Sequence, residues 1–146
     1  MRKFVLLTVL SFVAAAFTSC VKDDNPGNGR PDFGKEGLLV SQTYIEFERT
    51  AVNPVVVSCI NRDAWWIADI SESTDNSVWT ELYATDKQEE GKAVNGVWFS
   101  CMVPSSEGHR NELNIGVSPN DTGAPRYLKI KMKSGSLSID LKVKQK

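Results

Sequence analysis

Glu46 and Glu48 stand two residues apart in Ile45-Glu46-Phe47-Glu48. On a strand that spacing sets two carboxylates on one face, about 6.6–6.8 Å apart along the backbone. Carboxylates near that separation serve inverting glycoside hydrolysis. On the outer face of a sheet nothing would bury either group and raise its pKa, so a solvated strand face is expected. His109, the one histidine of the chain, lies in Ser105-Ser106-Glu107-Gly108-His109-Arg110, a polar stretch expected to be a loop tip. A triad needs nucleophile, base and orienting acid in mutual contact, and nothing here requires such a set. A single His and three scattered Cys leave no cluster of the kind zinc sites are built from. No catalytic residue, metal or cofactor is therefore expected.

The cysteines and tryptophans carry more. Cys59 shares a strand face with Val55 and Val57, and Cys101 with Val97, Phe99 and Val103, so period two turns both thiols inward. In an oxidising compartment they are either a disulfide between facing strands or two buried free thiols that act as small apolar fillers. A bond would close a loop of 42 positions, worth roughly 4 kcal/mol. Trp65 and Trp66 are adjacent and must point opposite ways on a strand. Asp69 shares the parity of Trp65, and Ala68 and Ile70 that of Trp66, which assigns Trp66 to the core and Trp65 to the outside. Trp98, opposite in parity to Phe99 and Cys101, is also expected outside. Exposed indoles stack on the C–H faces of sugar rings, so Trp65, Trp79 and Trp98 are glycan-stacking candidates. The competing expectation is that these rings cover a second sheet face, or that a bulge reverses the parity.

What positions these residues begins with an address. Arg2 and Lys3 precede an apolar run, Phe4 to Phe17, of about 14 residues, short of the roughly 20 that cross a bilayer. It reads as the core of a secretory signal. Phe17-Thr18-Ser19-Cys20 resembles a bacterial lipobox, which implies a diacylated Cys20 as the new N-terminus. Two or three acyl chains hold a protein on a membrane where one would not. Val21-Lys22-Asp23-Asp24 resembles the Lys-plus-two-acidics signal that sends Gram-negative lipoproteins to the outer face of the outer membrane; display on the periplasmic side is the alternative. The whole chain has 17 basic and 18 acidic side chains, and loss of Arg2 and Lys3 leaves it mildly acidic. That balance excludes a nucleic-acid footprint and a polybasic lipid patch, so membrane attachment falls to the lipid on Cys20.

Residues 20–36 are expected to be a tether: Asn25-Pro26-Gly27-Asn28-Gly29-Arg30-Pro31-Asp32 holds too little apolar surface to offset the entropy of ordering. From residue 37 to 146 the pattern has strand period. Ile45-Glu46-Phe47-Glu48 alternates, and Val55 to Ile60 is a β-branched run. Leu113, Ile115 and Val117 form one face, as do Leu128, Ile130 and Met132, and then Leu137, Ile139, Leu141 and Val143. Pro119-Asn120-Asp121-Thr122-Gly123 and Ser134-Gly135-Ser136 carry turn chemistry between them. Residues 71–96 fit neither pattern cleanly. Short strands with one apolar face each must close on one another, which predicts an all-β, two-sheet antiparallel sandwich.

The body resembles a BACON domain, an immunoglobulin-like module of Gram-negative polysaccharide-degrading systems. The residues that carry the resemblance are Asn61 to Trp66, Asn114 to Asn120, Arg126 to Ile130 and Leu141 to Gln145. The acidic stretch around Asp86 to Gly91 departs from the family, which usually has a short Trp-containing strand and a Gly-rich turn there. The resemblance implies carbohydrate association and carries over no sugar-binding residue. The expected protein is a lipid-anchored, non-catalytic module that holds polysaccharide or mucin glycan. The alternative is a spacer or assembly subunit that contacts envelope proteins by its strand edges and has no glycan site.

Overall fold

The computed structural model describes residues 37–146; Cys20, Lys22, Asp23, Asp24 and the expected signal and tether lie outside the described residues. The described chain contains strands and turns without helix: β1 (Tyr44–Phe47), β2 (Val55–Ser58), β3 (Trp66–Ser73), β4 (Thr80–Ala84), β5 (Ala93–Asn95), β6 (Phe99–Met102), β7 (Glu112–Val117), β8 (Arg126–Ser134) and β9 (Leu137–Gln145). They form a five-stranded sheet, β1-β9-β8-β3-β4, and a four-stranded sheet, β2-β7-β6-β5. Every pairing is antiparallel except β1 with β9, which is parallel. This is an immunoglobulin-like two-sheet sandwich.

Alternation decides which side chains fill it. Leu128, Ile130 and Met132 on β8 and Leu141 and Val143 on β9 meet Val57, Leu113 and Ile115 from the opposite sheet, all of them buried. The β8–β9 turn consists of Gly135 and Ser136, with Gly135 at φ 60°. Glycine at the first of two central positions is what a type II′ hairpin turn needs. Pro119–Gly123, in contrast, does not join neighbours; it carries the chain from β7 in one sheet to β8 in the other.

The crossover is fastened by side chains. Asn120, 1% exposed, donates through Nδ2 to the carbonyls of Ala124 (2.8 Å) and Lys146 (3.0 Å). Buried Gln145 donates to the carbonyl of Ser118 at 2.9 Å and accepts from Arg126 Nε at 2.9 Å. Asn61 ties the start of the domain down, accepting from the Leu39 N–H at 2.9 Å and donating to the Gly37 carbonyl at 2.8 Å. The polar residues that carry the family resemblance thus satisfy backbone groups that burial would otherwise orphan.

β3 overturns the expected parity of the tryptophan pair. Opposite β8, Ile67 faces Met132 and Asp69 faces Lys131, so Ala68 is an extra residue, a β-bulge. Trp65 and Ile67 point into the core before the bulge, and Ile70 after it. Trp65 is fully buried, not outside. Trp66 lies outside the core cluster, yet it too is covered: a Cβ on Gly91, in the β4–β5 connection, would fall 2.7 Å from its ring. Residues 71–96 resolve into the end of β3, β4 and β5. Between β3 and β4 the turn is held by Asp75, whose carboxylate accepts the N–H groups of Ser77 (2.8 Å) and Val78 (3.0 Å). Those bonds come first among the causes that hold its pKa well below the ordinary carboxylate range.

Candidate functional site

Glu46 and Glu48 do share an outer face, but Lys146 closes between them, its Nζ 3.0 Å from Glu46 Oε1 and 2.7 Å from Glu48 Oε1. The hydrogen bond from Lys146 is the largest influence holding Glu46 below the usual carboxylate range. A carboxyl kept ionised in this way is no proton donor for glycoside cleavage. His109 is exposed, with Nδ1 2.9 Å from Glu112 Oε1. Among the described residues no group of three His, Cys, Asp or Glu side chains could hold a metal ion.

Cys59 and Cys101 are both buried and free. They do not sit on facing strands: β2 and β6 belong to one sheet with β7 between them. Cys101 pairs with Ile115 on β7, while the Cys59 N–H bonds the carbonyl of Asn111, four residues along. Two strand spacings alone exceed 9 Å, beyond the ~7 Å that a disulfide can bridge between Cα atoms. Burial pushes both thiols up, Cys101 to about 12.

Trp98 is likewise not outside. It stands at the β5–β6 tip, where the Gly96 N–H bonds the Phe99 carbonyl, and alternation does not extend through a tip. Its neighbour Val97 is fully exposed, while Trp98 folds back to 8% exposure. The indole N–H donates to Glu72 Oε2 at 3.1 Å, and the Arg126 guanidinium lies 4.4 Å from the ring centroid. Neither Trp65 nor Trp98 can offer a ring face to a sugar.

Trp79 remains. It is half-buried, and Lys129 Nζ lies 5.0 Å from its ring centroid. With Tyr44 and Tyr127 it lines a cleft of 190 Å³ on the five-stranded sheet. Tyr44 is 53% exposed and sits at the start of the edge strand β1, and Tyr127 is half-buried on β8. On the same outer face, β8 presents Lys129, Lys131 and Lys133, and β9 presents Ser138, Asp140, Lys142 and Lys144. Three aromatic rings among cationic and hydroxyl side chains make an amphipathic platform, apolar in its faces and polar at its rim. Sequence parity places Tyr44 with Glu46 and Tyr127 with Lys129, so the outward direction of both rings was readable. That β1 runs beside β9, bringing Tyr44 to the others, was not.

Two inner-facing sheets of this order define the class, an immunoglobulin-like β-sandwich. Among solved structures, the chain is similar to the NMR structure of a protein from Bacteroides thetaiotaomicron, at 19% identity and a TM-score of 0.57, over 80% of this chain and 92% of that one. The likeness is one of fold. No family model matches the chain, and no curated protein does.

Proposed function

We propose that this is the non-catalytic module of an exported lipoprotein, acylated at Cys20, that holds glycan polymer weakly at the outer membrane in the manner of a BACON domain. The observation that carries the reading is the grouping of Tyr44, Trp79 and Tyr127 around one cleft on an exposed sheet face. Ring faces of this kind stack on sugars, and each contact is weak enough that a polymer is held by repetition. Electrophoresis of the full chain through native gels loaded with polysaccharide or mucin tests it. Retarded migration is expected, and it is expected to vanish in Trp79→Ala and Tyr44→Ala while the fold stays intact. Retardation unchanged in both variants refutes the assignment of the face.

A second reading, a spacer or assembly subunit, has one observation in its favour. The outer face of the four-stranded sheet carries Val56, Asn114, Met102 and Ala93 in a single uncharged register row. Val56 and Met102 are exposed. Envelope proteins that co-purify with the chain, and are released by Met102→Lys with no change in glycan retention, would favour this reading.

A further inference from the structure

The lysines of the larger sheet are not equivalent. Lys133 Nζ lies 3.0 Å from Asp86 Oδ1. Lys131 stands in register between Asp69 on β3 and Asp140 on β9. Lys144 Nζ is 3.8 Å from Glu46 Oε2, and Lys146 is held by Glu46 and Glu48. Lys129 and Lys142 differ. They are direct cross-strand partners, and their row continues to Ser71 on one side and Tyr44 on the other. Among the described residues neither makes an ion pair. Glu81 lies beyond Ser71 in that row, two strands from Lys129, which is about 10 Å.

Like charges set directly opposite on a sheet destabilise it. The other lysines on this face have a carboxylate bonded to them or directly across the strand pair, whereas Asp69 and Asp140 stand only diagonal to Lys129 and this pair is left facing itself. Lys142 lines the aromatic cleft beside its register partner Tyr44, and Lys129, directly across from Lys142, lies over the Trp79 ring that lines it too. An anion between the two ammonium groups would remove their repulsion and accept charge-assisted hydrogen bonds from both. The rings on either side would hold the sugar that carries it.

We propose that Lys129 and Lys142 form an anion subsite within the aromatic cleft, and that the glycan held there is acidic, bearing carboxylate or sulfate groups on its sugars. The inference rests on the glycan-binding reading above and names its ligand class. The mildly acidic charge of the whole chain makes indiscriminate attraction to polyanions a poor substitute for such a site.

The probe is mucin in four forms: untreated, sialidase-treated, chemically desulfated, and treated both ways. Each is immobilised and titrated with the full chain. Untreated mucin is expected to bind about tenfold more tightly than the doubly treated form, with a salt dependence that the doubly treated form lacks. The two singly treated forms then show whether carboxylate or sulfate is read. Lys129→Gln and Lys142→Gln are each expected to weaken binding to untreated mucin by about tenfold, without lowering the unfolding temperature. Arg62→Gln, an equal charge change outside this face, is expected to leave binding unaltered. Equal binding to all four forms, lost in Trp79→Ala, overturns the anion subsite and leaves the glycan reading standing. Binding to none of them overturns both. Capture by phosphatidylglycerol vesicles through the same two lysines, with no mucin binding, assigns the face to lipid headgroups and overturns the proposal.

Discussion

Replacing Trp98 by alanine separates the packed rings from the presented one. Trp98 is 8% exposed, packs edge-on to Phe99 at 5.5 Å between centroids, sits under the Arg126 guanidinium and donates to Glu72. Truncating a ring so enclosed removes its transfer free energy and leaves a cavity, a loss of about 3–5 kcal/mol. Glu72 is only half-buried, so water takes up the carboxylate and little is added. For a domain whose total stability is of order 5–15 kcal/mol, that is about a fifth or more. Trp79→Ala gives up a less enclosed ring and one cation–π contact, about 2 kcal/mol in all. With a urea dependence near 2 kcal/mol per molar, the midpoint should fall by about 2 M for Trp98→Ala and about 1 M for Trp79→Ala. Far-ultraviolet circular dichroism is the readout, since fluorescence changes with the substitution itself. Midpoints that fall by the same amount, or a Trp98→Ala loss below about 1 kcal/mol, would refute the assignment of Trp98 to packing and Trp79 to presentation.

Two further outcomes follow from the titrating groups. With Cys101 pushed to about 12 from an ordinary 9.0, its thiolate fraction at pH 8 falls about a thousandfold. Iodoacetamide should leave Cys59 and Cys101 unmodified in the native chain and label both in urea, as read by mass spectrometry. A peptide linking the two by a disulfide would contradict the strand order. Asp75 has its pKa depressed by the turn it caps; its contribution is present above the unfolded value near 4 and is lost as pH falls through the lower folded value. Asp75→Ala should therefore lower the unfolding temperature at pH 7, and the difference from the native chain should narrow below about pH 4. A difference that stays constant with pH would show that the carboxylate charge has no part in holding the turn.

The inward faces of β8 and β9 were legible because nothing interrupts them: Leu128 to Met132 and Leu137 to Val143 alternate through long strands that end at a turn with a glycine where it is needed. Trp65 was misassigned because one inserted residue, Ala68, inverts the pleat and leaves no mark on composition. Trp98 was misassigned because a two-residue tip ends the alternation that the argument relied on. Of the three tryptophans, Trp79 alone lines a surface cleft with Tyr44 and Tyr127, and those tyrosines come from strands too far apart in the chain for the sequence to group them with it.

Sequence alone determined that the body is built of strands and which side chains most of them bury. These follow from local period and residue type, which operate over a few neighbours. Strand order belonged to the tertiary structure. It put β7 between two cysteines that local parity left free to bond, set Lys129 opposite Lys142, and brought Tyr44 to the edge of the cleft. A strand's pattern says which way its side chains point; only the closing of two sheets on each other decides which strand lies beside it.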